Sequence, residues 1–227
     1  MSTAQGARAR ARIEVTAAIK DEARRQLAAE GAAKLSLRAV ARELGMVSSA
    51  LYRYFPSRDD LLTALIIDAY DSLGEAAEKA HDTASDAPVT RWTAVCEAVR
   101  GWALAHPHEY ALIYGSPVPG YSAPETTVRA ASRVGLLLIG IVRDTHQGPG
   151  LADLPLPAEL RPEAERMVAD FAPALPPEAA TALVAAWAQL FGLVGFELFG
   201  QFHRVVEDRE TFFRHAVTGL AHGVGLR

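Results

Sequence analysis

Ser36-Leu-Arg-Ala-Val-Ala-Arg-Glu-Leu-Gly-Met-Val-Ser-Ser-Ala-Leu-Tyr-Arg-Tyr-Phe55 is the stretch that decides the fold of this chain. Leu37, Val40, Ala41 and Leu44 recur at i, i+3, i+4 and i+7, which predicts a short amphipathic helix. Ser36 is placed to cap its start, and Gly45 to close its end. A second short helix is expected over Ser48 to Tyr54, turning Leu51 and Phe55 inward before Pro56 stops it. Two such helices joined by a tight Gly-containing turn have the geometry of a helix-turn-helix.

The chemistry of that unit suits the major groove of duplex DNA. Ser48, Ser49 and Ala50 are small, so a helix starting there brings its backbone close to base edges. Tyr52, Arg53 and Tyr54 offer hydroxyl and guanidinium donors to phosphates or bases. Arg38 suits a forked contact to guanine, and Ser36 and Arg58 flank the unit where backbone phosphates would run. A generic small bundle with the two tyrosines packed at its edge is the plain alternative.

Outward from this unit, the rest reads as helix. Val15, Ile19, Ala23 and Leu27 form an upstream stripe that Gly31 ends. Ser57, with Asp60 three residues on, caps a long downstream helix with an apolar stripe of Leu62, Leu65, Ile66, Ala69 and Leu73. Further helices are expected near 89–105, 107–115, 123–146, 158–172, 177–204 and 208–224. Pro- and Gly-rich breaks at 115–124 and 147–157 read as mobile or lid-like. No alternating period-two segment is present, so the fold class is all-α. An N-terminal three-helix unit over 1–58 is followed by a larger helical regulatory and dimerisation domain over 59–227, with the Ser57 helix as a connector.

Charge supports this division. Residues 1–58 hold eleven basic and five acidic side chains, a balance of +6, while the remainder holds 12 basic and 22 acidic, a balance of −10. The basic part suits phosphates, and the acidic part disfavours a polyanionic small ligand. The single cysteine, Cys96, excludes an intramolecular disulfide and a multi-thiolate metal site. The longest near-unbroken apolar run, Val134–Val142, is far short of the ~20 residues that span a bilayer. Arginines interrupt the first thirty residues where a secretory signal would be apolar. A soluble cytoplasmic protein with no membrane role is expected.

Gly45, the run Leu51-Tyr52-Arg53-Tyr54-Phe55 and the basic Arg58 resemble the DNA-binding domain of the TetR family of transcriptional repressors. Gly31 and the Ile19, Ala23, Leu27 stripe are similar to the family's first helix, and the likeness covers roughly residues 12–70. Two positions depart. Val47 stands where the family often has a Ser or Thr cap, so Ser48 is expected to take the cap and shift the helix start by one residue. Arg58 stands where Lys is usual, which keeps the charge and adds a fork. Trp102, His106-Pro107 and Tyr110–Gly115 are similar to a C-terminal subtype named for Trp, His and Gly.

The larger half carries no G-x-S-x-G elbow, P-loop or H-E-x-x-H, so no catalytic residue, cofactor or metal site is expected. His106 and His108 are two apart and do not share a helical face. Trp102, His106, Tyr110, Tyr114, Met167, Phe171, Trp187 and Phe191 are candidates for lining a pocket, although ordinary core residues would look the same. Gly192, Gly195 and Gly200, followed by Phe212, Phe213, Ala216, Val217, Leu220 and Val224, suit a two-fold helix-pair interface. A buried hairpin within one subunit is the alternative.

The resemblance implies a homodimeric repressor that binds double-stranded DNA at a near-palindromic operator. A small apolar or aromatic effector of unknown identity would release it. An activator or ligand-independent regulator, a ligand-processing enzyme on the same fold, and a helical interaction module without a DNA role remain as alternatives.

Overall fold

The computed structural model describes residues 3–227, with side chains from Gly6 onward. Eleven α-helices and three short 3₁₀ turns occur among these residues, and no strand. They are α1 (Thr3–Glu30), α2 (Leu37–Glu43), α3 (Ser48–Leu51), α4 (Arg58–Thr83), α5 (Pro88–Ala105) and α6 (Pro107–Tyr114), then α7 (Val128–Ala131), α8 (Arg133–Gln147), α9 (Arg161–Phe171), α10 (Pro177–Leu198) and α11 (Arg209–Gly223).

The chain forms two compact units. One takes the chain through Tyr70 together with His106–Val128, and the other takes Asp71–Ala105 with Arg129–Arg227. A division at 58–59 follows the sequence motif, whereas the compact units follow packing, which adds the start of α4 and all of α6 to the first.

The first unit closes around Ile19, Ala23 and Leu27 of α1, Val40 and Ala41 of α2, Leu51 and Phe55, and Leu61, Leu62 and Leu65 of α4. Each helix contributes one apolar stripe, as its spacing dictates. Ser57 holds the start of α4: Asp60 N–H donates to its Oγ (3.1 Å), and that hydroxyl donates to Asp60 Oδ2 (2.7 Å). Charges join α6 to the same unit, since Arg24 reaches Asp68 (2.7 Å), Asp21 (2.8 Å) and Glu109 (3.1 Å). The break at 115–124 is not a lid. Val118 and Tyr121 pack on this core, and the Tyr121 hydroxyl lies 2.9 Å from that of Thr63.

The second unit buries Trp92, Val95, Cys96 and Val99 of α5 with Leu138 and Ile141 of α8, Leu190 and Val194 of α10, and Phe213 and Val217 of α11. Burial pushes the Cys96 thiol well above its ordinary pKa, so it sits as a protonated, inert core group. Arg100 and the buried Glu197 form a two-toothed pair, Nε to Oε2 and Nη2 to Oε1, both 2.7 Å, with the guanidinium 5.5 Å over the Phe213 ring. The break at 147–157 is tied to the chain end, where Ala152 N–H donates to Gly225 O (2.8 Å).

Several helix bounds differ from the expected ones. The segment 123–146 is not one helix; it divides at Ser132, whose hydroxyl donates to Arg129 O (3.1 Å). α10 ends at Leu198 rather than 204, because Gly200 turns to φ 84° and Arg204 to φ 59°. Gly200 thus ends the helix and contributes nothing to a helical interface. α10 is also long and apolar enough, by length and composition, to cross a bilayer, although Thr181, Gln189 and Glu197 interrupt its apolar run. Its buried side packs within this unit, and Glu197 on it is satisfied by Arg100.

Removing Arg100 leaves the Glu197 carboxylate buried without its partner. Arg100→Ala is expected to lower the unfolding free energy by about 3 kcal/mol in a urea titration. A loss under about 0.5 kcal/mol would show that the pair is as weak as an exposed one.

Candidate nucleic-acid interface

Gly45 sets the turn between α2 and α3. At φ 64° it occupies the left-handed region, which lets Met46 N–H donate back to Ala41 O (2.8 Å) and Gly45 N–H to Arg42 O (3.1 Å). Ser36 caps α2, accepting the Ala39 N–H at 3.4 Å. Four residues make up α3, and Val47 is its N-cap without any side-chain bond. Ser48 does not take over the cap: the helix begins at the family position even though Val47, 69% exposed, offers no acceptor. The expected helix to Tyr54 is α-helical only to Leu51, after which the last turn tightens, with Tyr54 N–H donating to Leu51 O (2.8 Å) ahead of Pro56.

Leu51, fully buried, and Phe55 anchor this segment in the first unit's core. The alternation leaves Arg38, Ser48, Ser49, Tyr52 and Arg53 exposed, while Ser36, Ala50 and Tyr54 are half-buried. The Arg12 guanidinium lies over the Tyr54 ring at 5.4 Å, a contact that counting charges in the sequence did not anticipate. Hydroxyls, the Arg53 guanidinium and small side chains therefore share one short segment, the composition that reads base edges and grips phosphates.

Arg58, expected to clamp a backbone phosphate, also bonds within the first unit. Its Nη2 donates to Ala32 O (2.8 Å) and Ala33 O (3.3 Å), and its Nε to Leu35 O (3.2 Å). These carbonyls belong to the 3₁₀ link between α1 and α2, where Ala32 O also accepts the Leu35 N–H (3.3 Å). Arg58 thus ties the start of α4 to that link, and only a fork can reach three acceptors at once.

The proposed ligand-lining residues fall into separate places. Tyr110 and Tyr114 stack in the first unit with ring centroids 5.2 Å apart, and Tyr70 meets Tyr114 edge-on at 5.9 Å. Burial pushes both Tyr110 and Tyr114 above the ordinary phenol range. His106 Nδ1 lies 3.0 Å from Glu109 Oε2. Trp102 belongs to the second unit, where its indole donates to Ser72 Oγ (2.9 Å). Phe171 and Trp187 share an apolar cavity of about 340 Å³ with Gly135, Leu138, Ile139, Leu183, Val184 and Ala188. Phe191 touches Trp187 at 5.8 Å between ring centroids, and Met167 is half-buried on α9 outside the cavity's lining. Gly135 makes the Trp187 position possible, because a Cβ there would fall 2.2 Å from the indole ring.

Residues 19–65 match the family described as bacterial regulatory proteins, tetR family, and residues 92–220 match a tetracyclin repressor-like C-terminal domain. The chain belongs to the TetR family. It is a TetR-type DNA-binding transcriptional regulator. Two curated relatives are the HTH-type transcriptional regulators Mb1846 of Mycobacterium bovis and Rv1816 of Mycobacterium tuberculosis. Each is 42% identical over 201 residues, covering 87% of this chain and 86% of the relative. The crystal structure of SCO4313 has a TM-score of 0.77 at 33% identity, covering 94% of this chain and 98% of that one. The TetR-family regulator PfmR from Thermus thermophilus, at 19% identity and a TM-score of 0.61, shares the fold over 90% of this chain and 97% of its own.

For this TetR-family regulator, Arg58→Ala leaves the buried Leu35 carbonyl without a partner and unties α4 from the α1–α2 link, where Ala32 O keeps the Leu35 N–H. The expected cost is about 2 kcal/mol, a fall in Tm of about 4–8 °C by calorimetry. Arg58→Lys should recover less than half of it, and full recovery by Lys would mean that charge alone matters.

Proposed function

We propose that the protein is a homodimeric repressor that binds a near-palindromic operator and is released by a small, neutral, apolar or aromatic effector. The observation that carries this reading is the outward side of α10 and α11. Ala182, Ala185, Gln189, Gly192, Leu193 and Phe196 of α10 face Phe212, Ala216, Gly219, Leu220 and Gly223 of α11 across a groove of about 690 Å³ that is almost wholly apolar. Phe196 is 54% exposed in the single chain, and Gly192 and Gly219 have open space over them. A second copy laid on this groove by a two-fold axis buries the same residues from both sides. Such a pairing offers two α3 segments to successive major grooves, about 34–36 Å apart.

DNA contact falls to the 1–58 domain, through Ser36, Arg38, Ser48, Ser49, Ala50, Tyr52, Arg53, Tyr54 and Arg58. The 59–227 domain carries dimerisation and the effector site. The α8–α9–α10 cavity supports the effector class: its walls hold no charged side chain, and its volume is at the low end for small-ligand sites. Occupancy would bias the dimer between two arrangements, and a coupling of about 1–3 kcal/mol changes operator affinity about 5- to 150-fold. The reading makes the protein a cytoplasmic binder rather than an enzyme. The Trp102, His106-Pro107 and Tyr110–Gly115 stretch supports the Trp-His-Gly subtype.

Gly219→Arg tests the pairing, since it places a charge on the groove at an exposed helix position that the single fold tolerates. Size-exclusion chromatography with light scattering is expected to give twice the 24.3 kDa chain mass for the unaltered protein and the chain mass for the variant. Binding to duplex DNA should be lost with it. A variant that remains a dimer would move the interface elsewhere.

A further inference from the structure

α1 begins well before its first buried side chain. From Gly6 to Glu14 every residue is exposed, and the first fully buried side chain is Ile19. At 1.5 Å per residue, these nine exposed positions run about 13 Å along the helix. A helix of that length gains little stability by itself, so this segment is a surface held out by the packed part of α1. It carries Arg8, Arg10 and Arg12 against one acid, Glu14. None of the three arginines is paired with a carboxylate among the described residues. The acids in the adjoining groove are already engaged: Asp21 by Arg24, and Asp68 by Lys20 and Arg24.

Direction comes from Arg12. Its guanidinium sits over the Tyr54 ring, at the end of the segment that carries Tyr52 and Arg53. Arg8 is one turn earlier on the same helical face, whereas Arg10 lies roughly 200° round the axis. A guanidinium stacked on a ring keeps its in-plane donors free for a phosphate. The segment has no apolar side to hold a lipid surface or a partner helix, since Ile13 is its only large apolar residue. Charge and continuity with the DNA-binding segment select one occupant, the polyanionic backbone of the same duplex.

We propose that the exposed N-terminal turns of α1 are a second DNA-contacting element, in which Arg8 and Arg12 bind phosphates flanking the bases that α3 faces. This rests on the DNA-binding reading and adds a contact outside the helix-turn-helix. Both arginines act on the backbone, so they strengthen binding to all sequences alike.

The test uses the full chain and a labelled 40-bp duplex that the unaltered protein enriches from a random-sequence pool. Affinity is measured from 50 to 200 mM salt for the unaltered protein, for Arg8→Ala/Arg12→Ala, and for Arg166→Ala, on α9 of the second unit, as a control. Alanine keeps the helix, so circular dichroism and Tm should match in all three. Each lost phosphate contact lowers the salt slope by about 0.9, so the double variant should lose about 1.8 per bound subunit. Across that salt range the unaltered protein then loses about tenfold more affinity per subunit than the double variant. Arg166→Ala should show no change. A double variant with the unaltered slope overturns the inference while leaving DNA binding intact. So does a fall in affinity at constant slope, which would mark a disturbed Tyr54 rather than lost phosphates. If the unaltered protein enriches no duplex, the DNA-binding reading falls first and takes this inference with it.

Discussion

A helix of four residues has no stability of its own, so α3 exists only because the rest of the first unit imposes it. Leu51 and Phe55 are driven inward by the hydrophobic effect, and Gly45 supplies the left-handed backbone that brings the chain round to them. Arg58 then holds the α1–α2 link by three carbonyls. With those constraints met, Ser48, Ser49, Tyr52 and Arg53 have nowhere to go but outward. The exposed chemistry of the segment is thus a consequence of what it buries.

The second unit obeys the same logic with a different result. Its helices satisfy their inner faces with one another and with the Arg100–Glu197 pair. α10 and α11 then still carry an apolar outer side that no helix among the described residues covers. That surface is what the proposed second copy would cover. The cavity beside Trp187 arises from a local accident of size: a glycine at 135 lets an indole lie against α8, and the bulky ring props the neighbouring walls apart.

Most of the first unit was legible because its signals are local. Gly31, Ser36, Gly45 and Pro56 each act within a turn, and the stripes of α1, α2 and α4 repeat at the helical period. What escaped was long-range. Nothing within a few residues of Arg58 says that its partners are Ala32, Ala33 and Leu35, and a basic residue beside a DNA-binding motif reads as a phosphate contact by default. Likewise, α6 reads as part of the regulatory half by position, yet Glu109 and Arg24 place it with α1. Aromatic residues marked apolar sites without distinguishing core from cavity. Of the eight candidates, Phe171 and Trp187 line the cavity, while Trp102 is satisfied by Ser72 and Tyr110 and Tyr114 stack elsewhere. Periodicity reports which side of a helix is apolar, and says nothing of what covers it.

The central claim is that one assembly presents the Ser48-bearing segment twice to a single stretch of DNA. Recovering the duplexes bound by the purified protein from a random-sequence pool, and sequencing them, tests it most directly. The account predicts an enriched inverted repeat whose half-site centres lie about one helical turn apart, 10–10.5 bp, or a whole multiple of that. Enrichment of a single asymmetric site, or of nothing at low salt, would contradict it.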